Sequence, residues 1–149
     1  MSHTVERSDM DGGNRKILAN VGRTKPTSLN LETSTNRLYW IEQATNTIRY
    51  LNLIKANDSV QTLLTFNQFT YDIRMTIDGP DVFIVDSGKS WLHFGGVYRC
   101  NKTVDGGCKQ VVEGLVDPKD IVAYDSKFTP TPGNIAAYDS VFTPTPGNI

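Results

Sequence analysis

The sequence predicts an all-β chain built from repeated units of four short strands, and three observations lead there. Apolar and polar residues alternate with a period of two in short runs. Gly, Pro, Asn and Asp punctuate the chain every ten residues or so, and one ordered set of segments recurs along it. Leu29 and Leu31 alternate with Ser28 and Asn30, while Ile73, Met75 and Ile77 alternate with Asp72, Arg74 and Thr76. That is the pattern of a strand with one face more buried than the other. No window sustains i, i+3, i+4, i+7 spacing over three turns, so helix has little support.

The segments fall in a fixed order. A first strand is read in Pro26-Thr27-Ser28-Leu29-Asn30-Leu31, again from Thr70 to Met75, and again from Pro118 to Ala123, at steps of 44 and 48 residues. A second strand is Tyr39-Trp40-Ile41-Glu42, repeated 44 residues on as Phe83-Ile84-Val85-Asp86. A third is Val5-Glu6-Arg7-Ser8, then Ile48-Arg49-Tyr50-Leu51, then Val97-Tyr98-Arg99-Cys100, at steps of 43 and 49. A fourth runs through Arg15-Lys16-Ile17-Leu18, Gln61-Thr62-Leu63-Leu64 and Lys109-Gln110-Val111-Val112. Between third and fourth strands stand Asp11-Gly12-Gly13-Asn14, Ala56-Asn57-Asp58-Ser59 and Asp105-Gly106-Gly107, residues that tolerate the positive φ of tight hairpin turns.

Self-similarity at a period near 40–45 residues, with four strands per copy, is the signature of β-propeller blades. The expected organisation is a disordered N-terminus at 1–4 and a partial propeller of about two to three blades at 5–125. Within it, 5–24 ends one blade, 25–68 is a second, 69–116 a third, and 117–125 a following strand. A blade shares its core with the neighbours on either side, so such an arc is expected to expose blade faces and strand edges.

The last 24 residues, 126–149, read differently. Ile121 to Asn134 is followed by a 14-residue tandem copy, Ile135 to Asn148, too short for another blade. Its Thr-Pro-Thr-Pro-Gly runs favour extended or PPII backbone, so a disordered Pro-rich linker is expected. A biological repeat and a duplication artefact both fit this stretch.

Composition sets bounds. With 15 basic and 16 acidic residues the net charge is about −1, which leaves no electrostatic footprint for nucleic acid or an anionic membrane. Met1-Ser2-His3-Thr4 lacks the apolar stretch of a secretory signal, and no run of about 18 apolar residues is long enough to cross a bilayer.

The run Ser8-Asp9-Met10-Asp11-Gly12-Gly13-Asn14-Arg15-Lys16-Ile17-Leu18, then Lys25 to Leu29, then Asn36-Arg37-Leu38-Tyr39-Trp40-Ile41-Glu42 resembles the class B (YWTD) repeats of low-density lipoprotein receptor-related proteins. The resemblance covers about residues 5 to 125 and is strongest over 5–53. The family's Thr-Asp is Ile41-Glu42 in one copy, and its Tyr-Trp-Thr is Phe83-Ile84-Val85 in the next, with Asp86 kept. What the resemblance implies is a six-bladed propeller, commonly followed by an epidermal-growth-factor-like module, in endocytic or signalling receptors. This chain is then expected to be a piece from the propeller's C-terminal side, without the receptor's signal peptide or membrane anchor.

Several residue expectations follow from that likeness. Cys100 and Cys108 flank a hairpin turn within bridging reach, so a disulfide is expected, with two free buried thiols as the alternative. Asn57 and Asn101 head glycosylation sequons in predicted turns. Tyr39, Trp40, Ile41, Glu42, Phe83 and Asp86 are structural motif positions, with Asp86 accepting hydrogen bonds from backbone or a neighbouring blade. Trp91 and His93, beside Gly95-Gly96 in an inserted loop, are the tentative binding residues. His93 reads first as a packing or surface histidine and second as a sensor of endosomal pH.

Catalytic and metal-binding constellations are absent from this reading. Two cysteines and two distant histidines do not complete a zinc site, and turn positions account for Asp9, Asp11, Glu42, Asp78, Asp81 and Asp86. No cofactor is implied. The expected function is a non-catalytic extracellular module of a receptor that docks a protein ligand or a neighbouring receptor module, whether epidermal-growth-factor-like or ligand-binding repeat. Two alternatives stay open at this stage: a basement-membrane module of nidogen type, which shares these repeats, and a lactonase-type propeller enzyme with an axial calcium.

Overall fold

The computed structural model describes residues 3–55, 58–66, 72–88, 95–103 and 107–123, together with the backbone of 135–139. The chain divides into two compact units, Met1–Phe69 and Thr70–Ile149. Both are antiparallel β throughout the described residues, apart from one short 3-10 turn.

In the first unit β1 (His3–Arg7) and β2 (Lys16–Gly22) form a hairpin. Its turn is closed by the amide of Gly12 donating to the Asp9 carbonyl (2.9 Å) and that of Asp9 to the Gly13 carbonyl (2.9 Å), with Gly12 at φ 84° and Asn14 at φ 48°. The positive φ values are why Gly and Asn occupy those positions. The expected disorder at 1–4 is corrected for His3 and Thr4, which lie in β1. β2 is long enough to pair them with Gly22 and Asn20, and the Thr4 hydroxyl donates to Glu6 Oε1 at 2.6 Å.

A four-stranded meander follows, β3 (Pro26–Glu32), β4 (Arg37–Glu42), β5 (Thr47–Asn52) and β6 (Gln61–Thr65), in that spatial order. Gln43–Thr45 makes the 3-10 turn from β4 to β5 and stops at Asn46, whose φ of 48° no helix continues. The β4–β5 register is unbroken, with Tyr39 opposite Tyr50 and Trp40 opposite Arg49. Trp40 and Leu51 pack with Val5, Ala19 and Val21 of the β1–β2 hairpin, flanked by Leu18 and Leu38. Two successive sheets therefore share one apolar core, the way repeat units that cannot bury a face alone are stabilised.

The second unit repeats the meander with β7 (Ile73–Asp78), β8 (Asp81–Asp86), β9 (Gly95–Asn101) and β10 (Cys108–Leu115). β8 is buried along its whole length. Phe83, Val85 and Val97 on one face pack against Ile121 of β11 (Pro118–Ala123), with Val112 and Leu115 at the margin. The amide of Ala123 reaches the Thr76 hydroxyl at 3.3 Å and ties β11 to β7.

The tail departs from its expected linker character at one segment. Residues Ile135–Asp139 form β12, antiparallel to β11, with Ile121 opposite Ala137 and Ala123 opposite Ile135. The physical reason lies in the duplication: 135–139 copies 121–125, whose first three residues lie in β11, and contains no proline to block pairing.

A second correction concerns β3. Leu29 and Leu31, expected on a buried face, are 59% and 52% exposed. The β3–β4 register shifts between Thr27 and Asn30, and Ser28 sits at φ 54°, so a bulge interrupts the alternation. Among the described residues β3 pairs only with β4, which leaves its outer edge uncovered.

The meander sorts the connections by end. In each unit the first-to-second and third-to-fourth turns meet at one end, here called the hairpin end. Leu53 N donates to Asn36 O there, as Lys102 N does to Pro80 O, each at 2.8 Å. Connections from second to third strand and from fourth strand to the next first strand meet at the opposite, crossover end, with Gln43 N on Lys25 O (3.3 Å) and Phe66 N on Asn46 O (2.8 Å).

Candidate functional site

The second-strand motif builds the interior of each meander. Tyr39, Trp40 and Ile41 are fully buried and Glu42 nearly so. Successive strand residues face opposite sides, so Trp40 and Glu42 share the face toward β1–β2 while Tyr39 and Ile41 occupy the other. Glu42 Oε1 accepts from the Trp40 indole at 3.4 Å, and its Oε2 from Arg49 Nε at 3.4 Å and the Thr45 hydroxyl at 3.5 Å. Glutamate standing where the resembling motif has aspartate thus anchors an indole, a guanidinium and the 3-10 turn together.

On the opposite face the Tyr39 hydroxyl donates to Glu32 Oε2 at 2.9 Å, the Arg37 guanidinium lies 5.0 Å above the Tyr50 ring, and the two tyrosine rings are 5.6 Å apart. Burial, helped by the Glu32 carboxylate, holds the Tyr39 phenol above its ordinary range, with Arg37 opposing. In the second unit Phe83 is buried against β11, and Asp86 Oδ1 accepts from Gly88 N at 3.1 Å. The Tyr98 phenol is likewise raised, first by burial and then by the negative charges of Asp86 and Glu113.

Cys100 and Cys108 face each other in register across β9 and β10, with Cα atoms 4.3 Å apart, and are joined by a disulfide. This short separation is that of an antiparallel pair without mutual backbone hydrogen bonds, the placement that suits a cross-strand bridge. Asn101 ends β9. Trp91, His93 and Asn57 lie outside the described residues.

The polar feature that sequence reasoning missed sits at the crossover ends. Among the described residues three buried side-chain atoms, Thr27 Oγ1, Ser87 Oγ and Asp117 Oδ1, have no hydrogen-bond partner. Thr27 is at the start of β3, Ser87 follows β8, and Asp117 immediately precedes β11, so each lies at the crossover end of its own unit. Asp117 holds a left-handed φ of 50° while its other carboxylate oxygen pairs with Lys119. A buried polar atom left unpaired costs about 1–3 kcal/mol, which a partner group or water offsets.

Glycines set the close approach there. A Cβ on Gly95 would lie 2.5 Å from the Asp86 carbonyl and 2.8 Å from Pro118 Cδ, and one on Gly96 would lie 2.5 Å from Gln110 Nε2. Only residues without a side chain let β8, β9 and the start of β11 converge, so Asp86-Ser87, Gly95-Gly96 and Asp117-Pro118 are neighbours. The sequence signal for this convergence is the glycine pair opening a strand.

Among the described residues no group of three or more His, Cys, Asp and Glu side chains is arranged to hold a metal ion, and no helix is long and apolar enough to cross a membrane. Two open hollows flank the β1–β2 turn, one lined by Glu6, Arg7, Ser8, Gly12 and Arg15. Arg15 Nε is spent there on Glu6 at 2.6 Å. Hydrogen bonding by Thr4 and then Arg15 draws the Glu6 carboxyl below its usual range.

No protein-family model matches the chain. Among solved structures, a chain of a nidogen/laminin complex superposes with a TM-score of 0.67 at 21% identity, over 91% of this chain and 47% of that one. The chain therefore spans about half the length of that neighbour. With its successive antiparallel four-stranded meanders, the fold is all-β and that of part of a β-propeller.

Proposed function

We propose that the chain is a non-catalytic extracellular module that docks a protein partner. The observation that carries this reading is the likeness of its fold to a chain taken from a protein–protein complex. Trp91 and His93, the tentative binding residues read from the sequence, fall between β8 and β9 in the chain, and a tryptophan is an anchor of the kind that dominates interface energies. Glu42, Asp81 and Asp86 are each engaged in hydrogen bonds or an ion pair, an arrangement better suited to rigidity than to acid–base work.

Two placements of such a module compete. Likeness to a chain of a nidogen/laminin complex favours an extracellular-matrix protein, and the Tyr39-Trp40-Ile41-Glu42 motif favours a low-density lipoprotein receptor-related receptor. We place it first with the matrix type, because the structural likeness extends over nine-tenths of the chain whereas the motif is well kept in one repeat.

Titration of the immobilised chain with laminin, and separately with epidermal-growth-factor-like and ligand-binding receptor modules, tests both. Saturable laminin binding weakened roughly tenfold or more by Trp91→Ala, with the melting curve unchanged, supports the matrix reading. Binding confined to the receptor modules transfers the assignment to a receptor. Silence with all of them, together with calcium-dependent ester hydrolysis, replaces docking by the enzyme alternative.

A further inference from the structure

The hairpin end of the second unit holds a different piece of chemistry. Asn101-Lys102-Thr103 is an Asn-X-Thr sequon placed where β9 leaves its sheet. Asn101 Oδ1 accepts two hydrogen bonds from Thr103, one from the backbone amide at 2.8 Å and one from the hydroxyl at 2.7 Å. Both donors fall on the carbonyl oxygen, which fixes the plane of the side-chain amide. Among the described residues nothing accepts a hydrogen bond from Nδ2. Asn101 is half-buried and Thr103 exposed, and Lys102 N is tied to the Pro80 carbonyl, so the tripeptide is presented on a fixed backbone at the surface. The disulfide one residue away closes the base of the same hairpin.

The preceding repeat supplies an internal control. Asn52 ends β5 as Asn101 ends β9, and its Oδ1 accepts from the amides of Ile54 and Lys55 at 3.0 and 3.3 Å. The side-chain turn is thus a structural device of the fold at this position. Only the later repeat adds the hydroxyl two residues on, and that hydroxyl is what the transfer chemistry requires.

We propose that Asn101 is a site of N-linked glycosylation, occupied on the hairpin end of the second unit. The donor is a polyprenyl-diphosphate-linked oligosaccharide. The bond from the sugar's anomeric carbon to the diphosphate breaks, a bond from that carbon to Asn101 Nδ2 forms, Nδ2 gives up one proton, and the polyprenyl diphosphate leaves. A bulky solvated glycan there stands on the opposite end of the unit from Ser87 and Asp117, so it shields the hairpin turns without occupying the crossover end.

This inference rests on the extracellular part of the proposed function, and its test is independent of any docking partner. The full chain is expressed behind a cleavable secretory leader in mammalian cells, and the leader-cleaved pool is isolated from lumen and medium together. The expected result is a peptide spanning Asn101 that carries a glycan and returns with aspartate at 101 after enzymatic release. Thr103→Ala, which keeps the backbone-amide hydrogen bond and hence the turn, abolishes that product, and Thr103→Ser retains it. Recovery of unmodified Asn101 from the leader-cleaved wild-type chain overturns the proposal while leaving docking to stand or fall on its own titration. Occupancy of Asn101 that survives Thr103→Ala also overturns it, since the hydroxyl would then have no role.

Discussion

Trp40 shows how much of this molecule is decided by single side chains. It is fully buried, packs against strands of the preceding sheet, and has its indole N–H directed at Glu42. Trp40→Ala is expected to cost about 3–5 kcal/mol, because truncating a buried aromatic removes its transfer free energy and leaves a cavity that relaxes only partly. Chemical denaturation of the Trp40→Ala chain beside the wild type reads this directly, and a loss under 1 kcal/mol would mean that the sheets do not share a core at Trp40.

The tyrosines give a pH prediction with a definite sign. Tyr39 and Tyr98 both have phenols raised above the ordinary range, chiefly by burial. A raised folded-state pKa means that the native state holds its proton more tightly than the unfolded chain. The associated stability is therefore fully present below the unfolded phenol pKa of about 10 and is lost as pH rises through the folded value. Absorbance of phenolate at alkaline pH should show these groups ionising late and together with unfolding; early, independent titration of all tyrosines would contradict the buried environment.

At this scale the sequence revealed Tyr39 and Trp40 through the recurring motif. It did not reveal Leu29 and Leu31 as exposed or Thr27 and Ser87 as unpartnered. Alternation tells which residues share a face, but what lies against that face is fixed by segments distant in the chain.

At the level of elements, the β9–β10 hairpin carries the most testable energetics. Its disulfide links residues 8 apart in sequence. In the loop-closure model a bridge of this span contributes about 2–3 kcal/mol, so replacing Cys100 and Cys108 together by Ser is expected to lower stability by that amount. Amide hydrogen exchange should speed up first at Cys108–Leu115, which is an outer strand. Uniform exchange across the second unit would show that the bridge supports the whole sheet instead.

The start of β9 makes a complementary prediction. Gly95→Ala places a methyl 2.5 Å from the Asp86 carbonyl, a backbone atom that moves only with β8. Overpacking of this kind costs about 1–3 kcal/mol, so the melting temperature falls, and an unchanged melt would mean that the strand ends do not meet as described. The strands themselves were legible in the sequence, because period-two alternation and turn residues act locally. β12 was not, since a short apolar segment between proline runs becomes a strand only when a free edge such as that of β11 is available to pair with it.

At the scale of the whole molecule, unsatisfied edges dominate. Among the described residues β1 and β2 pair only with each other, and β3 and β6 border their sheet, so each has an edge outside the strand ladders. Ile17 and Leu31 are exposed on such strands. Edges of this kind recruit further strands. The isolated chain is therefore expected to self-associate as concentration rises. Light scattering behind size exclusion checks this, and a monodisperse monomer with one cooperative melt at every concentration would refute it.

The sequence by itself determined the all-β class, the four-strand repeat, the turn positions and the motif that fills the interior of each meander. Each of these is written in local patterns of polarity and in residues that tolerate positive φ. Tertiary structure alone decided that Leu29 and Leu31 face solvent, that the duplicated segment pairs with its own original, and that three buried polar atoms lie at crossover ends. Those facts depend on which surfaces meet, and contacts between residues tens of positions apart leave no local trace in the order of amino acids.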